Sequence, residues 1–479
     1  MFTSVPSSSI TFSPNPDRLR TGPLQDIALS DRFGKTTPNT TDPRTDHQTS
    51  HLHLLSTVPS YAPGTATPRL PLSAVIVPTR RSGDTSTDGL GLAVRCAEAH
   101  NAQLVVLRSG PAAQQPFPRA LAPSTSAPTL VVDLPESFSL AFADPSADRH
   151  PVRSLYRAGD LGAKRNLGLI LGLLCDWQTV LFLDDDIGTT RYWRPTSEAA
   201  CEVHPLLRLD DVLADLATYP DLQAVGYLSQ DFRDNSVVCH ARRLLGLPQD
   251  LFIGGGATII RCGPQLPFFP EAYNEDWLFY FSLMLDGRHH LPSSAVKVAG
   301  SVFQRPYYPF SPTRARSEEL GDVLAEGLFA LMTRPRTEIL ALSSSSTYWK
   351  DVVRQRQNMV LDLLHRASTD CGNSPVHDDA RVSLLAALSA YDQGSIPEFA
   401  AELASYVRGF LHDTDSWNDL LSGLTPRTED DVLDLPEALA LTGLRAHGAW
   451  TTARTSRSRP TRATAALGFP RLEPSQVAS

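Results

Sequence analysis

Residues 1–70 are dominated by Ser, Thr, Pro and Asp, and their apolar positions show no period. Such a stretch cannot bury enough surface to offset the entropy of ordering it. It is expected to be a disordered leader, or to reflect a start codon placed too far upstream. Periodicity begins abruptly at Leu72-Ser73-Ala74-Val75-Ile76-Val77-Pro78-Thr79, a short run with β-branched residues that ends beside a proline, as a buried strand does. A glycine-containing loop and a helical stretch around 90–100 follow. Further buried-strand runs stand at 103–107, 129–132, 179–183, 223–227 and 257–260. Apolar positions 167, 170, 171 and 174 recur at helical spacing. Strands alternating with helices predict βαβ units and a mostly parallel sheet, which is an α/β domain.

From about residue 315 the pattern turns helical, with an apolar stripe at Leu320, Val323, Leu324, Leu328 and Phe329. Later helices are expected at 348–366, 378–391, 397–411 and 430–442. Arg454, Arg457, Arg459 and Arg462 then lie among Thr, Ser and Pro in a flexible basic tail. The organisation expected is a leader over 1–70, an α/β domain over 71–312, a helical region over 313–450 and a tail over 451–479. There is no internal repeat.

Composition narrows the function classes. Hydrophobic residues make up 42% of the 479, enough for a sizeable core. The net charge of -9 gives no reason to expect a nucleic-acid partner, which calls for a basic face. The best membrane-span candidate, 167–183, is broken by Cys175-Asp176-Trp177-Gln178, so no transmembrane segment is expected. The N-terminus lacks the layout of a secretory signal. The six cysteines, at 96, 175, 201, 239, 262 and 371, form no Cys-x-x-Cys pair. Cys175 and Cys262 read as small buried hydrophobes. A reduced, cytoplasmic compartment is expected.

Two acidic motifs carry candidate chemistry. Asp184, Asp185 and Asp186 directly follow the strand at 179–183, where ligands bind in open α/β sheets. Adjacent carboxylates repel one another unless a cation compensates. Alternate residues 184 and 186 can face one side, and hard ions such as Mg2+ or Mn2+ take oxygen ligands and bridge to phosphates. The competing interpretation is a solvated Asp-rich loop. The second motif is Glu275-Asp276, ahead of the apolar run Trp277-Leu278-Phe279-Tyr280. Carboxylates at a helix start act as caps, or here one of them deprotonates an acceptor hydroxyl or binds the acceptor. The preceding run Gly254-Gly255-Gly256 lets backbone approach a ligand closely or forms a tight turn.

In this order, the pieces resemble a GT-A glycosyltransferase of the family 2 type and the related glucosyl-3-phosphoglycerate synthase group, over roughly 72–310. The motifs are Val77-Pro78-Thr79-Arg80, Lys164-Arg165-Asn166-Leu167-Gly168, the acidic triplet, the glycine run and Asn274-Glu275-Asp276-Trp277. The resemblance implies a GT-A, Rossmann-like sheet with helices on both faces, and transfer of a sugar from a nucleotide-sugar donor to a small-molecule or glycan acceptor. Pro78, Thr79 and Arg80 would contact the nucleoside. Lys164, Arg165 and Asn166 would lie near its base, ribose or diphosphate; for Arg165 a solvated helix end competes. Asp184 and Asp186 would hold Mg2+ or Mn2+, with Asp185 also on the donor side. Gly255, Gly256 and Ala257 would shape the sugar and acceptor pocket. Asp276 would be the base of an inverting enzyme, with Glu275 beside it.

The chain also departs from that pattern. It has no Gln-x-x-Arg-Trp motif, so a processive synthase is not expected. Gln304, in Val298-Ala299-Gly300-Ser301-Val302-Phe303-Gln304 after the last strand, stands where a metal-binding histidine would be sought. His289 and His290 read as surface residues. The segment 234–243 is a second candidate acceptor pocket, although a lone histidine such as His240 more often serves structure. Two other functions compete: a sugar nucleotidyltransferase, for which the loop Arg80-Arg81-Ser82-Gly83-Asp84 fits poorly, and a catalytically silent nucleotide-binding protein. The helical region is expected to cover the acceptor site or to make a homodimer interface.

Overall fold

The computed structural model describes residues 51–61, 67–81, 87–114, 126–135, 138, 160–188, 206–230, 236–247, 252–285, 292–305, 311–369, 375–391, 395–426, 428–442, 444 and 446–447. All of them fall in one compact unit, Gln48–Ser479. The first 50 residues of the expected leader, the basic tail, His289, His290 and Asp234-Asn235 lie outside the described residues.

The strands are β1 (Ser56–Thr57), β2 (Ala74–Thr79), β3 (Gln103–Arg108), β4 (Thr129–Asp133), β5 (Thr179–Leu183), β6 (Ile187–Gly188), β7 (Ala224–Gln230), β8 (Ile253–Arg261), β9 (Val296–Gln304) and β10 (Ala446–His447). They form one sheet in the order β1-β9-β7-β8-β5-β2-β3-β4-β10, with β6 paired to β9. Strands β4-β3-β2-β5 run parallel, as do β7-β9 and β1-β9. Strand β8 is antiparallel to both β5 and β7. The class is α/β with a mostly parallel sheet. The chain winds outward through β2, β3 and β4, then returns to lay β5 on the other side of β2. The carboxyl ends of β2 and β5 therefore flank the point where the winding reverses, the place where such sheets leave a crevice.

Helices cover both faces because successive side chains of a buried strand face opposite ways. Ala74 and Ile76 of β2 join a core with α2 (Leu161–Leu174), α5 (Glu275–Leu285) and the C-terminal helices. Val75 and Val77 join the opposite core with α1 (Thr87–Ala99) and α3 (Leu209–Thr218). The short α4 (Val237–Leu244) packs against the helical region.

That region comprises α6 (Ala315–Ala330), α7 (Arg336–Ser343), α8 (Ser346–Thr369), α9 (Pro375–Ser389), α10 (Ile396–Leu424) and α11 (Leu435–Leu441). It shares the larger core with the sheet: Trp417 of α10 donates its indole N–H to the Leu266 carbonyl at 2.6 Å. Helix α10 runs past the expected end at 411, because Trp417, Leu421 and Leu424 continue its buried stripe between charged residues. Among the described residues no helix is long and apolar enough to cross a membrane.

Residues 51–61 and 67–70 of the expected leader are described and pack against the domain. Strand β1 pairs with β9, and Tyr61 donates to Asp215 at 2.8 Å. His51 is fully buried, stacked on Phe329 and edge-on to Trp277, each at 4.7 Å between centroids. Burial drives its pKa down to about 3, so the ring is a neutral aromatic filler. Leu55 and Val58 are buried in the two cores as well, but the segment is too short and too interrupted to show a period.

Candidate active site

Strand β5 ends at Leu183, and the acidic triplet turns over the switch point. Its backbone is tightly held. Asp184 donates its N–H to the Gly256 carbonyl at 2.8 Å, and Arg305 donates its N–H to the Asp186 carbonyl at 2.8 Å. Helix α1 packs so closely here that a Cβ on Gly89 would lie 2.5 Å from the Asp185 carbonyl carbon.

The three carboxylates divide between two arginines. Asp184 accepts from Nη2 of Arg165 on both oxygens, at 3.1 and 3.0 Å. Asp185 is held by the Thr79 hydroxyl and by Arg81. Asp186 meets the other arm of Arg81 at 3.2 Å and accepts from the Gln304 amide at 3.3 Å.

Arg165 joins this triplet to the second acidic motif. Its Nη1 donates to Glu275 at 2.5 Å, and its guanidinium lies 5.5 Å from the centre of the Phe269 ring. The side chain is only 1% exposed. Burial disfavours its charge, yet Asp184, Glu275 and Asp276 more than offset this and hold the proton more firmly than on a free arginine. A solvated helix end is therefore ruled out for Arg165: the segment Lys164-Arg165-Asn166 is buried. Lys164 donates to the Thr79 carbonyl at 2.9 Å, the Ser109 hydroxyl at 2.7 Å and Asp160 at 3.0 Å, tying the ends of β2 and β3 together. Asn166 exchanges hydrogen bonds with the Phe269 backbone at 2.8 and 2.7 Å, a structural task away from the crevice.

The glycine run lies inside strand β8, and forms no tight turn. The turn reading failed because glycine is a breaker signal locally, whereas here it clears space across the sheet. A Cβ on Gly255 would sit 2.6 Å from Nη1 of Arg165 and 2.9 Å from Cβ of Asp276. Gly255 in turn donates its N–H to Asp276 at 2.6 Å, and Asp276 also caps α5 by accepting the Trp277 N–H at 2.8 Å. Gly256 faces Asp184, and Ala257 is buried opposite Leu183 in the β5–β8 ladder. These residues floor the acidic cluster.

Electrostatics follow from the burial. Asp276 is raised by burial against the pull of Arg165. Burial and Asp276 push the Glu275 carboxyl up to about 7, with Arg165 opposing. Burial likewise pushes Asp186 up to about 7 against Arg81, with Asp184 and Asp185 adding to the rise.

The fit to a divalent cation can be judged from the oxygens. Oδ1 of Asp186 is buried with no hydrogen-bond partner. A hard cation suits such an oxygen. Among the described residues no three His, Cys, Asp or Glu side chains converge as a ready cage. The residues fit a cation that takes carboxylate oxygen from the triplet and completes its shell with water and phosphate, the habit of Mg2+ in phosphate-handling sites.

The remaining expected site residues are spread more widely. Pro78 is buried within β2, and Arg80 is exposed over Gly110, whose Cβ would lie 3.1 Å from its Nε. Gln304 closes β9 itself, opposite Ile187 of β6, instead of following the last strand. His240 meets Arg243 at 2.9 Å within α4, and burial lowers its pKa to about 4. Cys175 and Cys262 pack against the larger core, with burial raising both thiols. Sequence reasoning did not single out Arg81 or Asp160 for the site. Arg81 directly follows the strand-end motif, and that adjacency was the available signal.

No protein-family model and no curated protein matches the chain. Among solved structures, the chain is similar to glucosyl-3-phosphoglycerate synthase from Mycobacterium tuberculosis in complex with Mn2+, UDP and phosphoglyceric acid, at 17% identity and TM-score 0.35, covering 59% of this chain and 87% of that one. It is similar to mannosyltransferase PcManGT from Pyrobaculum calidifontis in complex with GDP-Man and Mn2+, at 13% identity and TM-score 0.30, covering 73% and 89%. It is also similar to S. aureus TarS, at 14% identity and TM-score 0.28, covering 68% and 55%. Likeness of this degree carries no residue correspondence.

Proposed function

We propose that the protein is a metal-dependent glycosyltransferase that moves a sugar from a nucleotide-sugar donor to an acceptor hydroxyl. One observation carries this reading. Arg165 joins Asp184, at the switch point of the sheet, to Glu275 beside Asp276. A phosphate-side cluster and a proton-accepting pair thus meet on one guanidinium.

The chemistry needs both halves. Breaking the bond between the anomeric carbon and the diphosphate builds negative charge on the leaving oxygen. Asp186, flanked by Asp184 and Gln304, would hold the Mg2+ or Mn2+ whose charge offsets it. Thr79 and Arg80 at the end of β2 would meet the nucleoside side of the donor. The Glu275-Asp276 pair would take the acceptor proton. Asp276 has both oxygens engaged by backbone N–H groups, so Glu275, raised to about 7, is the better suited acceptor at neutral pH. Lys164, Arg165 and Asn166 act beneath this surface, holding strand ends, carboxylates and the 269 loop.

The test incubates the protein with Mn2+ or Mg2+ and a panel of UDP-, GDP- and TDP-sugars and measures free nucleotide. Release from one donor, lost on chelation and in Asp186→Ala, is the expected result. A folded protein that neither binds nor turns over any of these donors would overturn the reading.

A further inference from the structure

We infer that Arg81 is a built-in competitor of the divalent cation, standing on Asp185 and Asp186 until a nucleoside diphosphate draws its guanidinium away. The inference rests on the diphosphate-binding reading above. It starts from a contrast between the two arginines of the site.

Arg165 is 1% exposed and fixed between carboxylates of two motifs, so it has no other position to take. Arg81 is 23% exposed and spans two neighbouring carboxylates, touching Asp185 with one arm and Asp186 at 3.2 Å with the other. Its backbone N–H is anchored to the Thr79 hydroxyl at 3.2 Å. The main chain is therefore held while a long side chain reaches over the triplet from the solvent side.

Asp186 keeps Oδ1 buried and unpartnered while Oδ2 takes Arg81 and Gln304. A divalent cation entering on Asp186 would stand a few ångströms from the guanidinium, and like charges at that distance in a partly buried site repel strongly. A guanidinium on Oδ2 therefore weakens the hold of this carboxylate on a cation at Oδ1. A diphosphate resolves the conflict, because arginine pairs with phosphate oxygens through the same planar fork that it offers to carboxylates. Arg81 would move from carboxylate to phosphate as the cation takes its place, which makes cation and nucleotide binding mutually supporting.

The probe is Mn2+ alone, followed by electron paramagnetic resonance of the free ion, with and without UDP or GDP. Wild type should bind Mn2+ weakly by itself and more tightly with nucleotide. Arg81→Ala should bind Mn2+ alone about tenfold more tightly than wild type and gain less from nucleotide. Arg81→Lys, which keeps the charge, should stay near wild type, and circular dichroism checks that both variants fold. Equal or weaker Mn2+ binding by Arg81→Ala, or no Mn2+ binding by any of the three proteins, overturns the inference. Tighter binding by Arg81→Ala together with no turnover of any sugar donor would leave Arg81 as the competitor and remove the transferase reading instead.

Discussion

Arg165 and Glu275 stand 110 positions apart in the chain and meet at 2.5 Å. The same guanidinium grips Asp184, so one buried cation sets the spacing of the two acidic motifs. Neither motif could keep its geometry alone, because carboxylates this buried repel and seek solvent unless they are paired.

Removing that cation should therefore be felt twice. Arg165→Met strands Asp184 and Glu275 without a partner and should destabilise the fold by about 3–5 kcal/mol. Arg165→Lys keeps a positive charge but offers no planar fork to serve both carboxylates. It should fold, and nucleotide release should fall about a hundredfold, the scale of a misplacement near 1 Å. Denaturant unfolding reads the first effect and donor hydrolysis the second. Wild-type turnover in Arg165→Lys would show that the spacing of the motifs does not matter.

The raised Glu275 carboxyl gives stability a pH dependence of defined sign. Its pKa lies above the unfolded value of 4.5, at about 7. The folded state thus binds the proton more tightly, and the associated stability is fully present below the unfolded pKa and lost as pH rises through about 7. The shift corresponds to about 3 kcal/mol as an upper bound. Thermal melting should decline from about pH 5 to pH 8, and Glu275→Gln should flatten that part of the profile. A profile unchanged in Glu275→Gln would assign the proton to another group.

A second buried arginine ties the helical region together. Arg356 of α8 pairs with Glu319 at 2.8 Å, Asp322 at 3.0 Å and Glu326 at 3.0 Å, all from α6. Asp322 also accepts from Asn274 at 3.0 Å, the left-handed residue just ahead of Glu275. Arg356→Met should cost about 3–5 kcal/mol in denaturant unfolding, since it leaves three acids without their cation. A cost below about 1 kcal/mol would mean that water or rearrangement replaces the arginine.

Much of this architecture was legible because its signals are local. Strand β5 was read to the residue, since Thr179 and four apolar residues stand between Gln178 and Asp184. The acidic triplet declared itself by following that strand directly. What escaped was the cross-chain pairing. Nothing near Arg165 announces Glu275, and nothing near Gly255 says that its missing Cβ makes room for a guanidinium two elements away. Helix α7 was missed because only Ile339 and Ser343 of it are buried, too few to mark a period. Strand β1 escaped because two residues carry no alternation at all.

Those two residues have a further consequence. The sheet begins at β1 and ends at β10, each a two-residue strand, drawn from the first and the last stretches of the described residues. Each pairs with two residues on the outward side of a longer strand, β9 on one rim and β4 on the other. An uncovered rim is a template on which a second molecule can add its own strand. The two short strands thus act as selvedges, and losing either pairing would open a rim of the sheet to self-association.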